Sequence, residues 1–213
     1  MKRQLHENEV RSKIIQVARR LFLSQGYEQT RIRQIKEAAE VKIGTIYHFY
    51  QNKEDILAHI VRESFFRVLV RARQLAGNNQ QLNLGCELAW HIHTMHQHPQ
   101  SAEMYLISYN SPRISAEILS NQVERSKDLF GERCPDLSDE DHQFFSMVAK
   151  GMMQSITLRT VNGVLGDPDF VVDKSITVLL KLMDIPAAEI EATRQQIKRL
   201  AIAEKVATLL PRS

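Results

Sequence analysis

Residues 30 to 57, TRIRQIKEAAEVKIGTIYHFYQNKEDIL, contain two short helical patterns separated by a gap that leaves room only for a tight turn. The apolar residues of the first pattern recur at helical spacing and are Ile32, Ile35, Ala38 and Ala39. The pattern stops at Glu40-Val41 and resumes with Ile46, Tyr47 and Phe49. This arrangement predicts a helix, a tight turn and a second helix.

The side chains between these apolar positions are cations and hydroxyl or imidazole donors. They are Arg31, Arg33, Lys42, Thr45, Tyr47, His48 and Lys53. Such a surface suits phosphate oxygens and base edges. Cations also occur on helix surfaces simply for solubility, so the distribution of charge matters. Residues 1–75 hold 15 Lys or Arg against 8 Asp or Glu, whereas residues 76–213 hold 13 against 17, which favours a polyanionic partner for the amino-terminal end.

The order of residues in this stretch resembles the DNA-binding domain of the TetR family of bacterial transcriptional repressors. The matching positions are Thr30, Ile32, Arg33, Ile35, Ala39, Val41, Gly44, Thr45, Ile46, Tyr47, His48, Phe49, Asn52, Lys53, Glu54 and Leu57. Glu40 replaces the usual turn glycine, which would strain the turn if that position needs a positive φ. Lys42 replaces the usual serine and adds a cation near the start of the recognition helix, which can change the DNA sequence that is read.

The resemblance implies a DNA-binding surface made of Arg31, Arg33, Lys42, Ile43, Gly44, Thr45, Tyr47, His48 and Lys53. Within it, Thr45, Tyr47 and Lys53 are expected to contact phosphates. Bases would be contacted by Arg33, Lys42 and Ile43 or Gly44. A dimer would place two recognition helices about 34–36 Å apart or somewhat more, which predicts a palindromic operator.

The chain is predicted to be all-α. A first helix over about residues 7–24 packs behind the motif and completes a three-helix core of Leu21, Phe22, Ile35, Ala39, Ile46 and Phe49. A long helix over residues 53–76 follows, and further helices are expected over about 81–97, 101–109, 112–130, 139–163, 170–184 and 187–209. The predicted domains are a helix-turn-helix DNA-binding domain over residues 1–52 and an all-helical effector-binding and dimerisation domain over residues 53–213.

The segment from Lys150 to Met183 also resembles the family's carboxyl-terminal region, where two helices pair with their copies in a second subunit. The resemblance implies a homodimer interface formed by Met152, Ile156, Leu158, Val161, Val171, Ile176, Val178, Leu179 and Leu182. These residues could instead belong to the core of one subunit, but two long helices with so much apolar surface favour association. The role of the extra segment from Ala187 onward stays open between support of the dimer and cover of the pocket.

A pocket for an unidentified small-molecule effector is expected from the same resemblance. Its predicted lining consists of soft apolar and aromatic residues: Trp90, Met95, Met104, Tyr105, Tyr109, Phe130, Phe144, Met147 and Met152. Each of these residues is also an ordinary core residue, and about half are expected to be no more than that.

Histidines crowd one predicted helix at positions 91, 93, 96 and 98. His91 and His98 are separated by a helix rise of about 10.5 Å, too far for one ion. His93 and His96 could share a metal only with ligands from elsewhere. No metal or cofactor is therefore expected, and an enzyme or a helical small-molecule-binding dimer that uses the region from His91 to His98 is the alternative function. No nucleophile elbow, phosphate loop or HExxH pattern supports an enzyme.

Composition places the chain among globular proteins of one or two domains. No uninterrupted run of 18 apolar residues predicts a membrane span, and no apolar run follows the first cations as in a secretory signal. Cys86 and Cys134 lie far apart without metal-type spacing, which favours reduced thiols in a cytoplasm. The leading hypothesis is a cytoplasmic homodimeric transcriptional repressor that binds double-stranded DNA and releases it when an effector binds; activation stays open.

Overall fold

The computed structural model describes the backbone of residues 2–209 and the side chains of residues 7–208. Over that range the chain forms helices and no strand, so the predicted all-α class is confirmed. The helices are α1 Lys2–Gln25, α2 Ile32–Ala39, α3 Ile43–Phe49, α4 Lys53–Ala76, α5 Gln80–Gln97, α6 Pro99–Asn110, α7 Pro112–Phe130, α8 Asp139–Val161, α9 Pro168–Leu182, α10 Ala187–Leu200 and α11 Ile202–Leu209. Residue 1 and residues 210–213, at the ends of the two predicted domains, lie outside the described residues.

Helices α1, α2 and α3 form a compact unit around one apolar core. Phe22, Ile35, Ala39 and Ile46 are fully buried, as the helical spacing predicts, while Leu21 and Phe49 pack against them at its edge. Helix α1 begins at Lys2, about one turn earlier than predicted. The buried Thr30 hydroxyl donates to the Gly26 carbonyl at 2.8 Å and fixes the turn between α1 and α2.

The turn between α2 and α3 depends on Glu40, which adopts the left-handed conformation with φ 53° and ψ 42°. The family's glycine has no Cβ to clash in this region, whereas glutamate does. The Lys13 ammonium binds the Glu40 carboxylate at 2.9 Å and ties the turn to α1. The exposed ion pair therefore accompanies a strained backbone at the point where the recognition helix begins.

Helix α5 is the centre of the carboxyl-terminal part. Every residue from Gln81 to Trp90 is buried, because α4, α9, α10 and α11 all pack on this helix. Gly85 permits the closest of these approaches, since a Cβ there would lie 3.0 Å from two carbon atoms of Ile197 in α10.

The predicted single helix over residues 187–209 is wrong. The chain breaks at Ala201, which has φ 47° and ψ 50°, and continues as the separate helix α11. The change of direction lets Ile202 and Val206 bury their side chains against the core, to 3% and 1% exposure. Both helices pack on α5, so this segment covers the central helix. The other predicted helix ends agree with the structure to within two residues, apart from the start of α1.

Candidate nucleic-acid interface and internal cavity

The outer face of α3 is open to solvent. Ile46 points into the core, whereas the side chains of Ile43 and Tyr47 are 43% and 54% exposed. The flanking positions Lys42, Gly44 and His48 are exposed as well, and Thr45 is half-buried. A helix of this size with one free polar face fits the width of the DNA major groove.

The start of α2 adds two exposed cations beside this face. The Arg33 Nε donates to the Glu37 carboxylate at 2.9 Å, and both side chains are largely in water. An exposed pair at this helical spacing is worth only a few tenths of a kcal/mol, so Arg33 can exchange it for a phosphate or a base. Arg31 is exposed, and its backbone N–H donates to the Gln34 side chain at 2.7 Å, which fixes the first turn of α2.

Lys53, which is predicted to contact a DNA phosphate, already contacts Tyr27 within the protein. Its Nζ donates to the Tyr27 carbonyl at 2.7 Å and lies 4.1 Å from the centre of the Tyr27 ring. Burial, with the nearby Glu28 and Glu54 carboxylates, raises the pKa of the Tyr27 phenol to about 12. Lys53 therefore joins the start of α4 to the turn between α1 and α2.

Arg11 was not identified from the sequence, because nothing in α1 alone relates it to the motif. In the fold its guanidinium lies 5.7 Å from the ring centre of Phe49 and 5.9 Å from that of Tyr50, at the end of α3. Arg11 is exposed and adds a cation beside the open face of the recognition helix.

The first turn of α4 is also bound to the turn between α6 and α7. The Ser111 hydroxyl donates to the Glu54 carboxylate, and Arg113 binds the Asp55 carboxylate, both at 2.5 Å. Burial opposes ionisation of Asp55, but hydrogen bonds from Arg113 and from the Gln51 backbone N–H lower its pKa below the ordinary value.

A cavity of about 400 Å³ lies beneath this contact, between α4, α5, α7 and α8. Its wall is mainly apolar and aromatic, with Val61, Phe65 and Phe66 from α4, Leu88 from α5 and Phe145 from α8. This volume is within the usual range for sites that bind small molecules.

Most of the predicted pocket residues do not line this cavity; Tyr109 is the one that does. Trp90 and Met95 do not line it because α5 presents other residues there: Arg71 covers the Trp90 ring, and Met95 packs one turn further on against Thr157. The other predicted residues also lie outside it: Met104, Tyr105 and Phe130 are buried elsewhere, while Phe144 and Met147 are exposed and Met152 is half-buried on α8.

His91 lines the cavity instead, on the stripe that it shares with Leu84, Glu87 and Leu88. Its ring lies 4.6 Å from that of Phe65, and burial lowers the pKa of the imidazole to about 4. His91 is therefore neutral at physiological pH and belongs to the aromatic wall.

Polar groups within the cavity are concentrated on one side. Arg125 donates through Nε to Glu87 Oε1 at 3.0 Å, binds the same oxygen through Nη2, and contacts Asn83 at 3.1 Å. The Gln122 Oε1 atom is buried without a hydrogen-bond partner. At the rim, Arg62 Nε donates to Glu117 at 2.6 Å.

The other histidines of α5 lie away from this cavity. His93 Nε2 lies 3.2 Å from the Asp169 carboxylate, and burial lowers the pKa of His93 although this neighbour opposes the shift. His96 is exposed. Within residues 7–208, no group of three or more His, Cys, Asp and Glu side chains is arranged to hold a metal ion.

Helices α8 and α9 expose an apolar face at the surface of the subunit. Its large exposed residues are Phe144, Met147, Leu158, Phe170, Val178 and Leu182, with Val164 in the connecting loop. Three residues predicted for the interface, Ile156, Ile176 and Leu179, are buried within the subunit, so they lie behind this face. Met152, Val161 and Val171 are half-buried at the edge of the face.

A three-helix unit that presents the outer face of its third helix to solvent defines the helix-turn-helix class of DNA-binding proteins. Residues 14–60 match the sequence profile of the bacterial regulatory proteins of the tetR family. The helix-turn-helix unit of this chain is therefore similar to that of bacterial transcriptional regulators, and the match covers residues 14–60 of the 213.

One curated protein is similar in sequence, and several solved structures have a similar fold. The transcriptional repressor KstR of Rhodococcus jostii (strain RHA1) is 25% identical over 138 residues, which span 64% of this chain and 65% of that repressor. The structure of RolR with resorcinol superposes with a TM-score of 0.66 at 16% identity, over 92% of this chain and 96% of RolR. FadR from Bacillus subtilis in complex with stearoyl-CoA gives a TM-score of 0.60 at 20% identity, over 81% of this chain and 97% of FadR. In residues 2–209, none of the helices has both the length and the apolar character needed to cross a bilayer.

Proposed function

We propose that this protein is a transcriptional regulator of the tetR family, a repressor that binds a palindromic operator as a homodimer and leaves it when a small molecule enters the cavity. The observation that carries this proposal is the direct link between the two sites. Helix α7 forms a wall of the cavity, and its first turn holds the first turn of α4 through Arg113 and Asp55. The same turn of α4 holds the DNA-binding unit through Lys53 and Tyr27.

In this proposal the head, residues 1–52, meets DNA through the exposed residues of α2 and α3. Arg33, Lys42 and Ile43 contact bases in the major groove. Gly44 has no side chain, and no protein atom lies within 4 Å of where its Cβ would be, so the helix can approach these bases closely. Phosphate contacts come from Arg31, Thr45, Tyr47, His48 and Lys53.

The second subunit is proposed to cover the apolar face of α8 and α9. Six large apolar side chains on these helices are more than 40% exposed, which is an unfavourable surface for an isolated subunit. Gly151 lies among them on α8 with open space around it, so a partner helix can approach the backbone closely.

The protein dissociates from the operator if the effector binds more tightly to a conformation in which the two heads have a separation that does not fit DNA. A molecule that fills the cavity pushes on α7 and α4 together, and the pair between Arg113 and Asp55 passes the displacement to the head. KstR is named as a repressor, and RolR and FadR were solved with an organic molecule bound, which supports regulation by such a molecule. A cytoplasmic location follows from the proposed binding to chromosomal DNA.

The decisive experiment is selection of bound DNA from a random pool with the full chain, followed by sedimentation of the complex. We expect an inverted repeat with half-sites about one or more helical turns apart, bound by an even number of subunits. Enrichment of no sequence, or of a single asymmetric site bound by one subunit, would contradict the proposal.

A further inference from the structure

The balance of charge in the cavity wall points to the kind of molecule that binds there. The wall contains the carboxylates of Glu87, Glu117, Glu124 and Asp128 but only the two guanidinium groups of Arg62 and Arg125. Lys127, which lies in α7 between Glu124 and Asp128, does not redress this balance because its Nζ binds Asp139 at 2.7 Å. With His91 neutral, the wall carries an excess of negative charge.

Arg125, the more buried of the two arginines, is not available to receive an anionic ligand. Arg125 donates to Glu87 and Asn83, and Arg62 donates to Glu117. Inside the cavity a carboxylate or a phosphate would have to displace Glu87 from Arg125, because the other pair lies at the rim with the Arg62 side chain 56% exposed. Breaking a largely buried pair leaves an uncompensated charge, which is costly.

One hydrogen-bond acceptor among the residues of the cavity wall, in contrast, lacks a donor. Both hydrogen bonds from Arg125 to Glu87 fall on the single oxygen Oε1, and Gln122 Oε1 is buried without a donor. Burial raises the pKa of the Glu87 carboxyl although Arg125 opposes the shift, so a second cation nearby would stabilise the ionised form. A ligand that brings N–H donors can satisfy acceptors that the protein leaves unsatisfied.

The rest of the wall suits the body of such a ligand. Phe65, Phe66, Tyr109 and Phe145 present aromatic rings to the cavity, and the faces of aromatic rings attract organic cations. A volume of about 400 Å³ accommodates a skeleton of drug size but not a long acyl chain with its nucleotide carrier.

We propose that the cavity binds lipophilic organic cations, such as apolar or aromatic amines, with the protonated nitrogen at Glu87 and Gln122. This inference rests on the proposed function, because it assigns the chemical class of the effector in the same cavity. It predicts a preference opposite to that expected for an acyl thioester such as the one bound by FadR.

The test uses three ligands with one skeleton and different heads: 4-butylbenzylamine, 4-butylbenzyl alcohol and 4-butylbenzoate. Calorimetric titration of the full-length protein at pH 7 should show the amine binding about tenfold more tightly than the alcohol, because a hydrogen bond to a charged group is the stronger kind. The benzoate should bind more weakly than the alcohol. Benzoate binding as tight as that of the amine, or no binding by any of the three ligands, would overturn the proposal.

Two variants test where in the cavity the protonated nitrogen of the amine binds. Glu87→Gln removes the charge but keeps an oxygen for Arg125, and should reduce the preference for amine over alcohol to about threefold or less. Glu132→Gln changes an exposed carboxylate outside the cavity and should leave the preference intact. If Glu87→Gln does not fold, Gln122→Leu serves instead and should weaken amine and alcohol but not benzoate. An unchanged preference in the folded cavity variants rejects the site.

Operator binding in the presence of each ligand separates this inference from the proposed function. If the amine binds but does not release DNA, the ligand class stands and effector-driven release fails. If the benzoate is the ligand that releases DNA, release stands and the ligand class fails.

Discussion

Arg113, in the first turn of α7, lies 2.5 Å from the Asp55 carboxylate in the first turn of α4. The Asp55 side chain is 17% exposed and that of Arg113 54%, so the pair lies at the edge of the contact between the two halves of the chain. The charge pair therefore joins these two helix ends directly.

Replacing Arg113 by Gln should lower stability at neutral pH and have little effect in acid. The pKa of Asp55 is depressed in the folded state, so its contribution is fully present above the unfolded value of about 3.9 and is lost as pH falls through the folded value. We expect a loss of about 0.5–1 kcal/mol at pH 7, since the pair is partly exposed. Urea unfolding between pH 3 and pH 7 measures it, with Arg20→Gln at an exposed site on α1 as the control. A difference that grows in acid would contradict this assignment.

Glu40→Gly should stabilise the fold. A residue with a Cβ in the left-handed region is strained, and glycine relieves this strain at the expense of one exposed ion pair to Lys13. We expect the melting temperature to rise by about 2–4 °C, the shift produced by relief of one strained residue in a chain of this size. Ala38→Gly, in the last turn of α2, is the control and should lower it. An equal fall in both variants would show that the ion pair matters more than the strain.

Lys42→Ala and Arg33→Ala should each weaken specific operator binding by about 1–3 kcal/mol while leaving the melting temperature unchanged. Both side chains are exposed, so neither contributes to the core. Fluorescence anisotropy with selected and scrambled DNA measures the specific part, and Lys205→Ala on α11 is the control. Unchanged discrimination between the two DNA sequences would remove the residue from the reading set.

Ile43 is an aliphatic side chain 43% exposed at the start of α3, where it can contact the C5-methyl group of a thymine. Ile43→Ala should weaken binding by roughly 1 kcal/mol. Replacing the contacted thymine by uracil should weaken wild-type binding similarly and add little to the loss in Ile43→Ala. A scan of uracil substitutions through the selected operator identifies the position, and fully additive losses at every thymine would rule out the contact.

Val178→Asp should convert the protein from dimer to monomer at micromolar concentration. Val178 is 46% exposed on α9, so the charge can be accommodated in the isolated subunit but not in the buried centre of an apolar interface. Sedimentation velocity measures the oligomeric state, and Ala207→Asp at an exposed site on α11 is the matched control. If the wild type itself sediments as a monomer, the proposed interface is wrong.

The sequence predicts the DNA-binding unit well because its helices are amphipathic. In α2, Ile35 and Ala39 face the core while Arg33 faces water, so periodicity alone shows which side chains are buried and which are exposed. Helix α5 has no such asymmetry, since it is buried on all sides from Gln81 to Trp90, and spacing could not show that His91 rather than Trp90 faces the cavity.

Helix α9 presents the same difficulty in another form. It is apolar on two sides, with Ile176 and Leu179 inside the subunit and Val178 and Leu182 outside. Composition and resemblance predict that it associates with a second subunit, but only the packing against α5 decides which of its two apolar faces remains free.

The contacts of Lys53 with the Tyr27 carbonyl and of Asp55 with Arg113 lie within one turn of α4. These contacts join three consecutive residues of α4 both to the turn between α1 and α2 and to α7, so we expect this turn to affect operator affinity and effector response alike. Substitutions there should therefore yield regulators with altered induction as readily as ones with altered promoter occupancy. A screen that scores both phenotypes in the same cells would be needed to tell such variants apart.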